Sequence, residues 1–371
     1  MKFSIKRDLL MEGLNRVIKV VNQKHSIPIL QGILFELTAD KLTITGSDST
    51  ETIRHIIDAD GDGLLIESEG NMVFPKNIVE ITKKLNKEIA FSQDGYNATI
   101  ISGKSEFQII TLDAEEYPKF QSFDLNSPTV TYKGPEFRDL VRKTAFSAAD
   151  SEIRPILTGV CIEVVQEDCT LVCTDSHRLS KISKRAKVNQ DFKVVVPARS
   201  LETASKIFSD SDVDMYLSPQ QLLLRNGSTL YLSRLLDGNY PDTSRLIPTD
   251  YQNKLTIDRK EFIDGLEMLK GLSLSADDNK GGIVKLHING AANLSTNQTQ
   301  RGKGKVDVPY TSYEGEEDFT ISFSIKYAQE ALKSIDKEKV DIFFQGQLRP
   351  FVIQPTEVTE ELQLILPVRT V

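Results

Sequence analysis

The sequence predicts an α+β protein made of three similar domains, each with two helices packed on antiparallel sheet. Three observations predict it: an internal repeat, a fixed alternation of helical and strand patterns within each copy, and a length of 371 residues, which suits three ordinary domains. The segment IPILQGILFEL (27–37) returns as RPILTGVCIEV (154–164). At the same offset LTITGSDST (42–50) aligns with the stretch ending in TDSH (174–177), so Asp48 matches Asp175. MVFPKNIVEITKKL (72–85) then resembles VVVPARSLETASKI (194–207), and EYPKF (116–120) resembles NYPDT (239–243). A fainter third copy shows in LTIDRKEFIDGL (255–266), which echoes VTYKGPEFRDLV (130–141). Stretches rich in Pro, Ser, Asp and Asn mark the boundaries, giving domains at 1–125, 126–250 and 251–371.

Each copy opens on a short strand: FSI, VTY or LTI. An amphipathic helix follows, as at 8–21, where Leu9, Leu10, Leu14, Val17, Ile18 and Val21 recur at helical spacing. Strands rich in β-branched residues come next (GILFEL, LTIT, ETIRHII). A second helix is predicted just after Pro75, Pro197 or Phe323, with the two prolines in the first helical turn, where a missing amide proton costs nothing. Further strands close the copy.

Composition excludes several function classes. A chain that is 39% hydrophobic and 26% charged is of the globular type. MKFSIKRDLL has no leader pattern and no apolar run reaches membrane-spanning length, so a cytoplasmic protein without a membrane partner is expected. Cys161, Cys169 and Cys173 are odd in number, and His177 is the only imidazole near them. They read as buried strand thiols, with neither a disulfide framework nor a metal site, and no cofactor is expected. The polar segment 295–318 has Gly302 and Gly304 around Lys303, but lacks the strand–loop–helix context of a phosphate cradle.

The stretch TDSHRL (174–179) sets Asp175, Ser176 and His177 side by side, the residue types of a hydrolase triad. In an extended chain Ser176 would face away from its two neighbours, and no G-x-S-x-G turn surrounds it. A hydrolase is therefore the weaker reading. Charge distribution points elsewhere. The six helical segments hold nineteen Lys and Arg against eleven acids, a net +8 in a chain of net −8, so the sheets and loops are strongly acidic. Basic helices repeated in three copies suit a surface that faces a polyanion.

Taken with MKF-I-R--L at the start, IPIL-G, DGNYPDTSRLIP (237–248) and LILPVRT (364–370), TDSHRL makes the chain resemble the bacterial DNA polymerase III beta subunit, the sliding-clamp family, from first residue to last. The resemblance implies a head-to-tail homodimeric ring of six similar domains, with helices lining the hole and sheets outside. It implies no catalysis. It implies sequence-independent binding of double-stranded DNA, and tethering of the polymerase III catalytic subunit, the clamp loader and other clamp-motif proteins. Their peptides would enter a pocket between the second and third domains. On the second-domain side the pocket would include Leu157, Thr174, His177, Arg178 and Leu179, with Pro241, Arg245 and Leu246 from the YPDTSRL turn. Ser324, Tyr327, Leu348 and Pro350 would come from the third domain, with Leu366, Pro367, Val368 and Arg369 at the chain end. The leucines are expected to anchor the peptide, and His177 and Arg178 to orient its polar groups. Lys24, Lys76, Arg154, Arg199 and Lys326 would face DNA. Phe107 and Ile109 of an edge strand would meet Leu272 and Leu274 of a second molecule.

In one respect the chain departs from the family: Gly281 and Gly282 stand where a bulkier residue is common, which unsettles one wall of the pocket. The copy-one equivalent of His177 is Thr50, so the shared Asp48 and Asp175 are expected to be turn-forming and the histidine specific to copy two. The competing readings are a divergent second clamp, or a clamp-fold scaffold that binds peptides without enclosing DNA; the basic helices speak against the scaffold.

Overall fold

Antiparallel strand pairing carries the fold across the boundaries between copies. A computed structural model describes residues 1–120, 123–151, 153–273, 282–298 and 302–369. Among them are six α-helices, two per copy: α1 (Arg7–Val17), α2 (Ile78–Lys83), α3 (Gly134–Thr144), α4 (Ala198–Ile207), α5 (Arg259–Ser273) and α6 (Ile325–Ser334). The chain divides into two compact units, Met1–Arg138 with Thr203–Leu235, and Asp139–Glu202 with Leu236–Val371. This division runs through the second copy, because its strands are shared out between two sheets.

The first unit contains a five-stranded and an eight-stranded sheet. In the larger, copy one contributes Gly70–Pro75, Gly32–Leu37, Lys41–Ser47 and Glu51–Asp58, in that spatial order. Glu51–Asp58 then pairs with Thr229–Arg234, the last strand of copy two, from Glu51 opposite Ser233 to His55 opposite Thr229. The second unit repeats the plan one copy later. Phe192–Pro197, Gly159–Val165, Asp168–Thr174 and Arg178–Arg185 run in order, and the last pairs with Glu361–Ile365, the final strand of copy three. Each of these copies therefore completes the sheet of its predecessor.

The prolines were expected inside helices and are not. Pro75 and Pro197 end strands, opposite Gly32 and Gly159. Both strands lie at sheet edges, where proline removes no ladder hydrogen bond. The facing glycines are required by crowding: a Cβ at Gly32 would lie 2.8 Å from the Phe74 carbonyl oxygen, and one at Gly159 would lie 2.9 Å from that of Val196. With Pro75 kept in the sheet, α2 begins only at Ile78 and spans six residues. α1 ends at Val17, and its continuation tightens into turns as far as Val21. In the polar segment 295–318, Lys305–Asp307 pairs antiparallel with the preceding strand Ala292–Ser295, and Ser312–Glu314 joins a different sheet beside Asn253–Asp258.

The three cysteines are buried free thiols, and burial pushes Cys161 up to about 11. Among the described residues no helix is long and apolar enough to cross a membrane.

One buried polar group sits in the seam of the first unit. His55 Nδ1 lies 2.9 Å from the Thr229 hydroxyl, and α1 covers the ring so closely that a Cβ at Gly13 would stand 2.9 Å from it. Burial, reinforced by Arg16 and opposed by Glu12, holds its pKa down at about 4. The unfolded imidazole protonates near its ordinary value of about 6.5. Stability is therefore fully present above that value, declines as pH falls toward the folded pKa, and levels off below it, with a total loss of about 3 kcal/mol. His55→Gln should flatten this decline in thermal unfolding followed across the window; an acid slope equal to that of the wild type would contradict the assignment.

Candidate functional site

Asp175, Ser176 and His177 form a turn between two strands, so the extended-chain argument does not describe them. Asp175 Oδ1 accepts from the amides of His177 (2.8 Å) and Arg178 (3.0 Å), and Ser176 takes a positive φ of 77°. Copy one builds the same turn: Asp48 Oδ1 accepts from Thr50 (3.0 Å) and Glu51 (2.8 Å), and Ser49 has φ 76°. The shared aspartate is turn-forming, as expected. Asp175 Oδ2 accepts from Arg178 Nε at 3.0 Å, so this carboxylate holds an arginine and its own backbone instead of orienting the imidazole of His177. The geometry is that of a structural turn, not of a triad.

Around this turn the second unit gathers most of the predicted pocket residues. The Thr174 amide donates to the Tyr240 hydroxyl at 3.0 Å, which docks the segment carrying Pro241, Arg245 and Leu246. The Leu366 amide donates to the His177 carbonyl at 2.9 Å and the Val368 amide to that of Ser322 at 2.7 Å, so the chain end is pinned on both sides. Pro367 lies half-buried between these bonds, and Arg369 is exposed beyond them. Ser324 caps α6 by accepting from the Tyr327 amide at 3.2 Å. Gly282 has φ 88°, a conformation that suits glycine, and its carbonyl accepts from the Ile325 amide. Gly281 and Leu274 lie outside the described residues.

The expected anchors differ in depth. Leu157 and Leu179 belong to a buried cluster with Val352 and Leu364, and Leu179 is only 1% exposed. They form a floor rather than a surface. Leu366 is partly buried against the same cluster. Leu246 and Leu348 are exposed, and Pro350 leads into the strand Phe351–Pro355.

Arg178 also departs from its expected role. It is 7% exposed and donates from Nη1 to Glu330 of α6 and from Nη2 to the Phe146 carbonyl (2.6 Å), while Nε holds Asp175. Its guanidinium lies over the Tyr327 ring at 4.6 Å. Each nitrogen of the fork is engaged within the protein, which leaves exposed His177 and Ser176 as the polar side chains of the turn that a ligand can meet.

The residues expected to face a polyanion are unequal too. Lys24 and Arg154 are exposed on corresponding loops, Lys24 four residues and Arg154 one residue before a 3₁₀ turn (Pro28–Gln31 and Pro155–Thr158). Arg199 is exposed at the start of α4, and Lys326 is half-buried on α6. Lys76 precedes α2 instead of opening it, and its Nζ donates to the Val21 carbonyl at 2.5 Å, where it closes the turns after α1. Sequence reasoning missed Lys19. Burial lowers its pKa, and the positive charges of Arg16 and Lys206 lower it further. Like charges held this close favour an anion among them.

The strand Ser105–Ile110 is an outer edge of the five-stranded sheet. Phe107 (38% exposed) and Ile110 (76%) are accessible, whereas Ile109 (8%) turns into the core, contrary to expectation. Leu272 is half-buried in the last turn of α5.

Three family models match in succession: the DNA polymerase III beta subunit N-terminal domain at residues 1–121, the central domain at 131–242 and the C-terminal domain at 244–369. The chain is 38% identical to the beta sliding clamp of Bacillus subtilis and 34% identical to that of Staphylococcus aureus, with the full length of each chain covered. Its fold matches the crystal structure of the Bacillus subtilis DNA polymerase sliding clamp with a TM-score of 0.95 at 36% identity. The beta chain of Streptococcus pneumoniae DNA polymerase III gives 0.94 at 33%, and both structures are covered in full.

The two aspartate turns make a matched pair for mutation. Asp48→Ala removes a cap on two amides and should cost about 1–2 kcal/mol. Asp175→Ala also takes a carboxylate from a buried guanidinium and should cost about 3 kcal/mol or more. Chemical denaturation giving equal losses would show that Arg178 does not depend on Asp175.

Proposed function

The chain belongs to the DNA polymerase III beta subunit family, and from that premise we propose that two molecules close head to tail into a ring around duplex DNA. It is a DNA sliding clamp, which holds polymerase III on its template. Its working parts are geometric and electrostatic, and none of the roles assigned here calls for a chemical step.

One observation carries the closure. Two copies end a four-stranded half-sheet on a strand that the next copy's last strand completes. Copy three builds the same half-sheet, Phe319–Ser324, Ile283–Ile288, Ala292–Ser295 and Lys305–Asp307, and leaves Lys305–Asp307 at an edge. Copy one leaves its own last strand, Ser105–Ile110, at an edge. Joining these two edges between molecules satisfies the rule throughout and yields six domains in a closed cycle. That junction would take in Phe107 of one molecule, with Leu272 of the other beside it.

The domains are those read at 1–125, 126–250 and 251–371. Lys24, Arg154, Arg199 and Lys326, joined by Lys19 and Lys206, meet phosphates without reading bases, which allows sliding. The rim around His177, Leu246, Leu348 and Leu366 receives peptides of the polymerase III catalytic subunit, the clamp loader and other clamp-motif proteins. An apolar floor with a few polar groups at its edge suits that task.

Closure is tested on nicked circular DNA. The clamp, once loaded, should stay on the circle through a high-salt wash and leave when the circle is linearised; loss from the intact circle would count against topological closure. Phe107→Asp should give folded monomers by sedimentation, because charge is costly at an apolar contact, whereas Ile109→Asp should unfold the first domain. The rim is tested by Leu246→Asp and Leu348→Asp, which leave the buried floor intact, and by ending the chain after Ile365. Each should weaken polymerase binding at least about tenfold, the effect of losing one buried leucine. A variant that loses no affinity removes its residue from the site.

A further inference from the structure

We infer that Arg178 is a positioning residue that makes the partner-binding rim and the DNA-facing Arg154 depend on one another. The inference rests on the reading of both surfaces given above. It does not assign Arg178 any contact with either ligand.

The geometry points this way because the guanidinium joins three separate pieces of chain. Nε holds Asp175 and thereby the turn that presents His177. Nη1 holds Glu330, and the flat face of the group lies over Tyr327, so the start of α6 is fixed against the turn. Nη2 holds the Phe146 carbonyl, at the root of the stretch that carries Ala149 and Arg154. That stretch is tied down again where the Ala149 amide donates to the Leu157 carbonyl (2.9 Å) and the Leu157 amide to that of Arg154 (3.0 Å). Leu157 itself belongs to the floor of the rim. Moving the Asp175 turn to admit a peptide therefore moves the anchor of Arg154, and ordering Arg154 on a phosphate stiffens the turn. A planar group in a fixed fork can link three partners in this way; a flexible ammonium does so poorly.

Copy one contains the same link made with different atoms. There the turn aspartate, Asp48, offers its carbonyl to His25 Nε2 at 3.1 Å, and His25 Nδ1 accepts from the Ile27 amide at 3.0 Å beside Lys24. In both copies the aspartate turn is thus fastened to the segment bearing a phosphate-facing cation. Only in copy two does that turn also face the partner rim.

The test uses the full-length dimer, a short fluorescein-labelled duplex at low salt, and the purified polymerase III catalytic subunit measured without DNA. Arg178→Met should weaken both affinities about threefold to tenfold, the range expected for a coupling residue that touches neither ligand. Adding Arg154→Ala to Arg178→Met should cost little further duplex affinity, since the first change already acts through Arg154; full additivity would overturn the inference. Hydrogen exchange should quicken at the amides of Ala149 and Leu157 and stay unchanged at Ile182. Should Arg178→Met fail to fold, Glu330→Gln keeps the side-chain volume and is expected to give the same pattern at smaller amplitude. Weakened polymerase binding with unaltered duplex affinity and exchange would overturn the inference while leaving the rim reading in place. Undiminished polymerase binding in both His177→Ala and Arg178→Met would overturn the rim reading, and the inference with it.

Discussion

Every strand at the rim of a sheet presents amides and carbonyls that need partners, and for two strands of this chain the partner comes from the next copy. The ladders between Glu51–Asp58 and Thr229–Arg234, and between Arg178–Arg185 and Glu361–Ile365, are where that need is met. The rest of the structure follows from them. They fix the register that sets His55 against Thr229 and the His177 carbonyl near the Leu366 amide. They also explain why compact units cut across sequence copies, since a shared sheet holds its strands together more firmly than a linker holds a copy. An unpaired edge is a standing liability for any sheet protein. Here the next copy's last strand covers two such edges.

Much of this was legible in the sequence, for identifiable reasons. Repeat copies keep the residues whose backbone geometry permits no substitute, so Gly32 with Gly159 and Asp48 with Asp175 could be aligned by eye. Helix positions followed from apolar spacing. What could not be read was which strand lies beside which, because pairing is long-range and leaves no local periodicity. The proline error has the same origin: Pro75 at a helix start and Pro75 on a sheet edge look alike until the sheet order is known. The depth of Leu179 and Ile109 could not be read, because it depends on packing neighbours that lie far off in sequence, as Val352 and Leu364 do from Leu179. Arg178 illustrates the limit best. The family resemblance implied a ligand contact, and only the three-dimensional arrangement shows its fork already filled.

The charge asymmetry was counted correctly but weighed too evenly. A count treats every lysine and arginine on a helix as available. In the second unit Arg142 is held by Asp139 and Asp336, and Lys143, nearly buried, reaches Glu361 at 2.8 Å. These cations fasten α3 to the third copy and have little charge left to offer a phosphate. The exposed set is smaller, and Lys19 stands out because burial, and then the charges of Arg16 and Lys206, disfavour its ammonium.

The buried cysteines bear on how long such a protein can serve. Oxidants attack the thiolate, and a thiol held near a pKa of about 11 is deprotonated in only about one molecule in ten thousand at neutral pH. Cys173, wholly enclosed beneath Tyr240, is pushed higher still. A peroxide burst that inactivates enzymes with exposed, acidic thiols would find no such thiol here, since all three cysteines are buried. The fold therefore shields the thiols of a component that has to persist through long stretches of synthesis, with cysteine sulfur placed where it fills space.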